Sequence, residues 1–283
     1  MTARWSAEDD VGLDVLEQVQ SSLTVDMIMS PREQLMTCRR EDIIADVMQN
    51  NQMEYSFLPV VDADDHYQGL FEAGHWFNHS PPDEPVGNNF APFSENQVIG
   101  ADASIFEFIL QVDTRPTRLV ISGQNVAGLI SISDLQQLPV RAALFTLVTS
   151  LEIAMAKRIK TEWPEDNDAW KDLLSDKRRK LTEQMIADAH SSDNFVSEIA
   201  LTQFCDKSTV ICKGSLISGS RTSLENAFGR IEGLRNKLAH ASYYAETPET
   251  ATKVCQVVQS IFAIKSALHE AIKQKQYAKA API

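Results

Sequence analysis

The sequence predicts an α+β chain of two unlike halves: a tandem pair of α/β repeats, then an all-α helical bundle. Three observations predict it. A pattern of strand, helix, strand, strand, helix occurs twice before residue 136. After Pro139 the apolar residues take up the 3–4 spacing of helices. Charge divides at the same place, with 6 Lys+Arg against 22 Asp+Glu up to residue 140 and 20 against 17 beyond it. No lysine precedes Lys157. The net charge of −13 over 283 residues therefore averages two different surfaces. The overall acidity argues against a simple nucleic-acid coat protein. The second half, at a net +3, stays compatible with RNA.

Residues 1–21 are acidic and lack an apolar core segment, which predicts a short helical segment and no signal peptide. No run approaches the roughly 18 apolar residues of a membrane span. Cys38, Cys205, Cys212 and Cys255 are scattered, so neither a zinc knuckle nor a disulfide framework is expected. A cytoplasmic protein that does not engage membranes is the expectation. The first repeat, 22–77, contains LMTCRREDIIADV (35–47), which reads as a short strand, a polar turn and the start of an amphipathic helix. FLPVVDADDHYQGLFEAGHW (57–76) follows as two strands about an Asp64-Asp65 turn. Residues 78–93 are rich in Pro, Gly and Asn and read as a linker loop. The second repeat, 94–138, returns the same order in NQVIGADASIFEFILQ (96–111) and TRLVISGQNVAGLISISDL (117–135), with its turn at Gly123-Gln124-Asn125.

From 139 to 283 the chain predicts five helices joined by short connections, at 140–160, 168–190, 195–213, 223–241 and 249–275. The first places Val140, Ala143, Leu144, Leu147, Val148, Leu151, Ala154 and Met155 on one stripe, with Pro139 in its first turn. Thr222 to Glu225 has the form of a capping box for the fourth. Thr247-Pro248 opens the fifth.

Residues 22–135 resemble a pair of cystathionine-β-synthase-type (CBS) domains, through VDMIMSP (25–31), FLPVVD (57–62) with its turn and Gly69, and AGLISISDL (127–135). The family's ligand motif is Gly, two apolar residues, Ser or Thr, two variable residues, then Asp. Gly128, Leu129, Ile130, Ser131, Ile132, Ser133 and Asp134 match it throughout. The resemblance implies that Asp134 accepts from the two ribose hydroxyls of an adenosine nucleotide (AMP, ADP or ATP) and that Ser131 approaches its phosphate side. It also implies that Val98, Ile99 and Ala101 frame the base; Arg115 and Arg118 are the nearest cations in sequence for the phosphate. The ligand would be regulatory, and no metal is expected. The first repeat departs from the motif, with Glu72 in place of the hydroxyl and His75 in place of the Asp, so its site is expected to be empty or rebuilt. Ser131, Ser133 and Asp134 also suit an ordinary helix N-cap, and modules of this kind often serve only to dimerise.

In the second half, Gly233-Leu234-Arg235-Asn236-Lys237-Leu238-Ala239-His240 carries the Arg, polar residue, three residues, His pattern of HEPN domains, small all-α bundles many of which are ribonucleases. Metal-free RNA cleavage needs a base for the 2′-hydroxyl proton, an acid for the departing 5′-oxygen and a fixed cation for the phosphorus oxygens. His240 suits the first two tasks near neutrality, and Arg235 the third. Five helical steps separate the two by about 140°. Asn236 shares a face with His240 and can orient its imidazole. The resemblance implies a homodimer whose copies pool these groups. Arg, Lys and His in a last turn also complement the helix dipole, so the same residues suit a plain C-terminus. Lys237, Arg230 and Lys177-Arg178-Arg179-Lys180 can guide an RNA backbone or form solvated faces. His75 and His79 have metal-like spacing but run into a Pro-rich loop without a third ligand. Cys205 and Cys212 are expected to pack in the core. The reading is a nucleotide-sensing module coupled to a metal-independent endoribonuclease, of toxin or defence type, with Arg235, Asn236 and His240 as its catalytic residues. Its alternative is a non-enzymatic nucleotide-binding regulatory or scaffold protein that dimerises through both halves.

Overall fold

The computed structural model describes residues 18, 21–164, 167–191 and 197–280. The predicted segment at 1–21 lies almost wholly outside the described residues. The chain forms two compact units, Leu23–Pro139 and a second that begins at Val140.

The first unit holds two four-stranded sheets built to one plan. In one sheet the order is β2 (Cys38–Arg39), β3 (Leu58–Val61), β4 (Tyr67–Phe71) and β5 (Phe90–Pro92). In the other it is β6 (Val98–Gly100), β7 (Thr117–Ser122), β8 (Asn125–Ser131) and β1 (Ser30–Pro31). The β2–β3 and β6–β7 pairs are parallel. A parallel pair needs a crossover, and the helices α1 (Ile44–Asn50) and α2 (Ile105–Ile109) provide it. The β3–β4 and β7–β8 pairs are antiparallel hairpins, each with a register shift at the matching place, Val60/Val61 and Val120/Ile121. Their turns use left-handed residues, Asp65 (φ 59°) and Gly123 (φ 61°). The closing helix predicted for each repeat is a short 3-10 turn instead, Ala73–Trp76 and Ile132–Gln136.

Alternation along the strands sets which side chains meet. Phe71 joins Cys38, Ile44, Val47, Leu58, Val60, Ala73 and Val86 in the core beneath α1. Its neighbour Leu70 points the other way and packs with Leu119 and Leu129 of the second sheet, so the sheets share a face. Two edge strands lie outside the repeats that they complete. β5 comes from the predicted linker, and β1 precedes the first repeat's strands yet pairs with β8, Ser30 against Leu129. Gly69 and Gly128 take equivalent places beside these edges. A Cβ on Gly69 would lie 2.1 Å from the Ala91 carbonyl oxygen, and one on Gly128 would lie 2.3 Å from that of Ser30.

The second unit is helical. α3 (Leu138–Glu162) continues from the first unit, and all eight residues of the predicted stripe are buried in it. By length and composition α3 is also apolar enough to cross a membrane, which the sequence reading did not anticipate; half of that apolar window is buried within the protein. The predicted second and third helices are each broken. A 3-10 turn at Asp168–Leu173 precedes α4 (Asp176–Ser191), and another at Glu198–Leu201 precedes α5 (Phe204–Lys213). Local polar groups cause the second break: the Asp206 carboxylate accepts from the Gln203 N–H at 3.0 Å and restarts the helix. α6 (Arg221–Ala239) begins earlier than predicted, with Ser220 as its N-cap and Glu225 paired to Arg221 instead of forming a capping box. α7 (Pro248–Ala280) starts as predicted, with the Thr247 hydroxyl accepting from the Thr250 N–H at 3.2 Å.

Candidate functional site

In the first unit the candidate site lies where β8 ends. The Asp134 carboxylate is 8% exposed. Its Oδ2 accepts from the Ser131 N–H at 2.7 Å and the Ser131 hydroxyl at 3.3 Å, and its Oδ1 accepts from the Gln137 side-chain amide at 2.8 Å. Gln137 also donates to the Ile28 carbonyl at 2.6 Å. Burial pushes the Asp134 pKa up, against these three donors, which pull it down. Each carboxylate oxygen has two lone pairs, so Oδ2 is filled by its two Ser131 donors and the spare acceptor capacity for a ribose hydroxyl lies on Oδ1.

The other predicted ligand residues fall on two faces of the sheet. Thr117 and Leu119 of β7 stand opposite Ser131 and Leu129, and Val98 of β6 stands beside Leu119. The Thr117 hydroxyl donates to the Ile130 carbonyl at 3.0 Å. Ile99 and Arg118 point to the opposite face, beneath α2. Arg118 is 2% exposed and its guanidinium lies 5.8 Å from the Phe108 ring centroid. Arg115 and Arg118 both donate to one acceptor, Gln111 Oε1, at 2.9 and 3.1 Å. The Nε of Arg118 is buried without a partner, and burial together with the Arg115 charge lowers its pKa. The backbone of Ala101 is committed, donating to Ile121 at 2.9 Å and accepting from Asp26 at 3.0 Å. Gly128 lies against the Ser30 backbone.

In the first repeat the counterparts Glu72 and His75 are exposed. His75 stacks on His79 with ring centroids 5.2 Å apart. Three residues elsewhere could jointly reach a metal, Asp62, Asp64 and His66 in the β3–β4 turn. There Asp62 Oδ1 already accepts from the N–H groups of Asp64 and His66, at 3.0 and 2.9 Å, and shapes the turn.

The second candidate site is the C-terminal end of α6. The helix ends at Ala239, His240 is its C-cap (φ −92°, ψ 12°) and Ala241 is left-handed (φ 54°). The Ser242 N–H donates to the Lys237 carbonyl at 2.9 Å and that of Ala241 to Leu238 at 3.4 Å, a Schellman closure. Asn236 and His240 are both exposed, one turn apart. Arg235 turns to the flank, where its Nε lies 3.8 Å from Glu152 of α3. Glu152 also pairs with Lys207 of α5 at 3.1 Å, and Lys207 donates to the Thr202 carbonyl at 2.6 Å. Arg141 of α3 donates to the carbonyls of Lys237, Leu238 and Ser242 at 3.2, 3.1 and 2.9 Å, and its guanidinium lies over Tyr244.

The sequence reading missed Arg141, Glu152 and Lys207. Arg141 did leave a signal. A cation in the first turn of a helix opposes that helix's own dipole, a placement that makes sense when the charge serves another helix's carbonyl end. Of the predicted basic run, Arg178 is spent on buried Asp206 and Arg179 on Asp172 and Glu183. Cys212 is buried as expected, with its thiol pushed up to about 11, whereas Cys205 is only half-buried.

No family model matches the sequence, and no curated protein matches it. Among solved structures the chain is similar to the CBS domain of the bacterial CNNM/CorC family Mg2+ transporter in complex with ATP, at 17% identity and a TM-score of 0.36 over 44% of this chain and 91% of that one. It is similar to CBSX2 in complex with AMP, at 20% identity and 0.33 over 43% and 96%. A hemolysin-like protein containing a CBS domain from Oenococcus oeni PSU aligns at 14% identity and 0.34 over 44% and 94%. These likenesses concern fold alone, over less than half of the chain.

Proposed function

We propose that the first unit is a CBS-type sensor of an adenosine nucleotide, AMP, ADP or ATP, with repeats at 22–77 and 94–138. In this reading it regulates a HEPN-type endoribonuclease domain from residue 139 onward, a toxin or defence effector that needs no metal. The observation that carries the catalytic part is the exposure of Asn236 and His240 side by side at the end of α6. The His240 imidazole takes the 2′-hydroxyl proton of RNA, the 2′-oxygen attacks phosphorus, and the 5′-oxygen leaves with a proton from a second imidazole or from the same one recharged. Arg235 offsets charge on the phosphorus oxygens. Since Arg235 leans to the flank toward Glu152, a single copy does not set it beside His240, which favours two copies pooling their groups. For the sensor, support comes from Asp134, held by donors on both oxygens at the end of β8.

The test is cleavage of single-stranded RNA in the presence of EDTA. His240→Ala and Arg235→Ala are each expected to lower the rate by about 100-fold or more; unchanged cleavage overturns the enzyme reading. Isothermal titration with AMP, ADP and ATP tests the sensor, and no heat with any of the three overturns it.

A second reading is a non-enzymatic nucleotide-responsive scaffold that dimerises through both halves. It draws on a specific observation: His240 is a C-cap in a Schellman closure, a place a purely structural residue also fills. A native chain that binds the nucleotide and cleaves no RNA would select it.

A further inference from the structure

The Arg–His motif lies on α6, yet the groups that hold it come from α3. Arg141 and Glu152 are eleven residues apart, within about 20° of one helix face and about 16 Å apart along the axis. Arg141 gives three hydrogen bonds to carbonyls on both sides of His240, those of Lys237, Leu238 and Ser242. It therefore fixes the backbone on both sides of His240, from which the imidazole projects. Glu152 faces Arg235 at 3.8 Å with one oxygen and Lys207 at 3.1 Å with the other. Lys207 is almost fully buried, its side chain 3% exposed, and is anchored to the Thr202 carbonyl. Two cations thus share one carboxylate. The cluster keeps a net charge of about +1, so Glu152 can aim the guanidinium without cancelling the charge that a phosphate would meet.

We propose that Arg141 and Glu152 are positioning residues, α3 side chains that set the two arms of the motif on α6, Arg141 for His240 and Glu152 with Lys207 for Arg235. The proposal rests on the endoribonuclease reading for its catalytic consequence, although the geometry it asserts is independent of it. Neither residue touches substrate. Each acts by narrowing where a motif side chain can be, and misplacement of about 1 Å is enough to slow a reaction strongly.

The experiment uses the full chain, a mixed-sequence single-stranded RNA oligonucleotide carrying a fluorophore and quencher, and 13C-histidine labelling. Glu152→Gln keeps the shape but removes the charge; Arg141→Lys keeps the charge but removes the fork. Glu152→Gln and Arg141→Ala are each expected to lower kcat by about 10-fold or more with KM within about twofold. Arg141→Lys falls between Arg141→Ala and the native chain. The ring resonances of His240, assigned by their loss in His240→Ala, are expected to move in both Arg141 variants. Should Arg141→Ala fail to fold, Arg141→Lys and Glu152→Gln give the same two readouts. Variants that unfold at lower temperature yet turn over unchanged per folded molecule, with the His240 resonances in place, overturn the proposal and leave the enzyme reading standing. A native chain that cleaves no RNA ends the enzyme reading, and the resonances then decide alone: displaced in Arg141→Lys, the clamp stands; coincident with native, it falls.

Discussion

Ala241 takes a left-handed backbone at φ 54° to close α6, in a place where helices that close this way usually have glycine. A Cβ is penalised there, so Ala241→Gly is expected to raise stability by about 0.5–1 kcal/mol, less the extra freedom it gives the unfolded chain. Urea unfolding measures this, and no gain would show that the Schellman bonds already absorb the strain. Asp134 makes a pH-dependent contribution of definite sign. Burial raises its folded pKa above the usual carboxylate value. Its proton is therefore favoured in the folded state, and the stability this adds is present at low pH and lost as pH rises through the folded pKa. Native protein compared with Asp134→Asn should gain relative stability from pH 7 to pH 4, and a relative loss would contradict the burial argument. Thiol chemistry separates the cysteines in the same way. Cys38 is buried and its thiol is pushed up to about 12, first by burial and then by Asp42. Cys205, only half-buried, should alkylate ahead of Cys38, Cys212 and Cys255 in the folded protein at pH 8, as peptide mapping would report.

At the scale of elements, two glycines make room for strands that come from elsewhere in the chain. Gly128→Ala would press a methyl carbon against the Ser30 carbonyl, which belongs to backbone and cannot swing away. A loss of about 1–3 kcal/mol is expected, as for other overpacked sites, and a neutral substitution would mean that β1 detaches from β8 without cost. Which elements could be read from sequence follows from their length and partners. α3 was legible because eight apolar residues repeat at 3–4 spacing over several turns. The hairpins were legible from Asp64-Asp65 and Gly123 between apolar runs. β1, two residues long, and β5, inside a Pro-rich stretch, carry no pattern of their own and form only because β8 and β4 offer them an edge. The breaks ahead of α4 and α5 escaped for a similar reason, since a single side-chain cap outweighs periodicity there. Within the site, Asp134 and His240 stood out through motif spacing. Arg141 and Glu152 did not, because their partners lie about 55 to 100 positions away and only tertiary packing brings them together.

For the whole molecule, the charge division recasts the question of RNA. Residues 141–283 have a net charge of +3, and several of their cations are tied up by Asp168, Glu198, Asp206, Asp172 and Glu183. Among the exposed cations near the motif are Arg230 and Lys237. RNA binding should therefore depend weakly on salt, with a log–log slope of about −2. A slope beyond about −5 would require a much larger basic surface than this unit presents. Ser30 is translated early, yet its strand partner Leu129 and the Gln137 amide that binds Ile28 are made roughly 100 residues later. The nascent chain must carry its first strand unpaired until the second repeat has cleared the ribosome. Loops this long close slowly. A truncation that keeps only the first repeat removes this pairing, and one that begins at the second repeat leaves its sheet with an open edge. Ribosome-release assays at increasing lengths should find protease resistance only once residues past Gln137 have emerged.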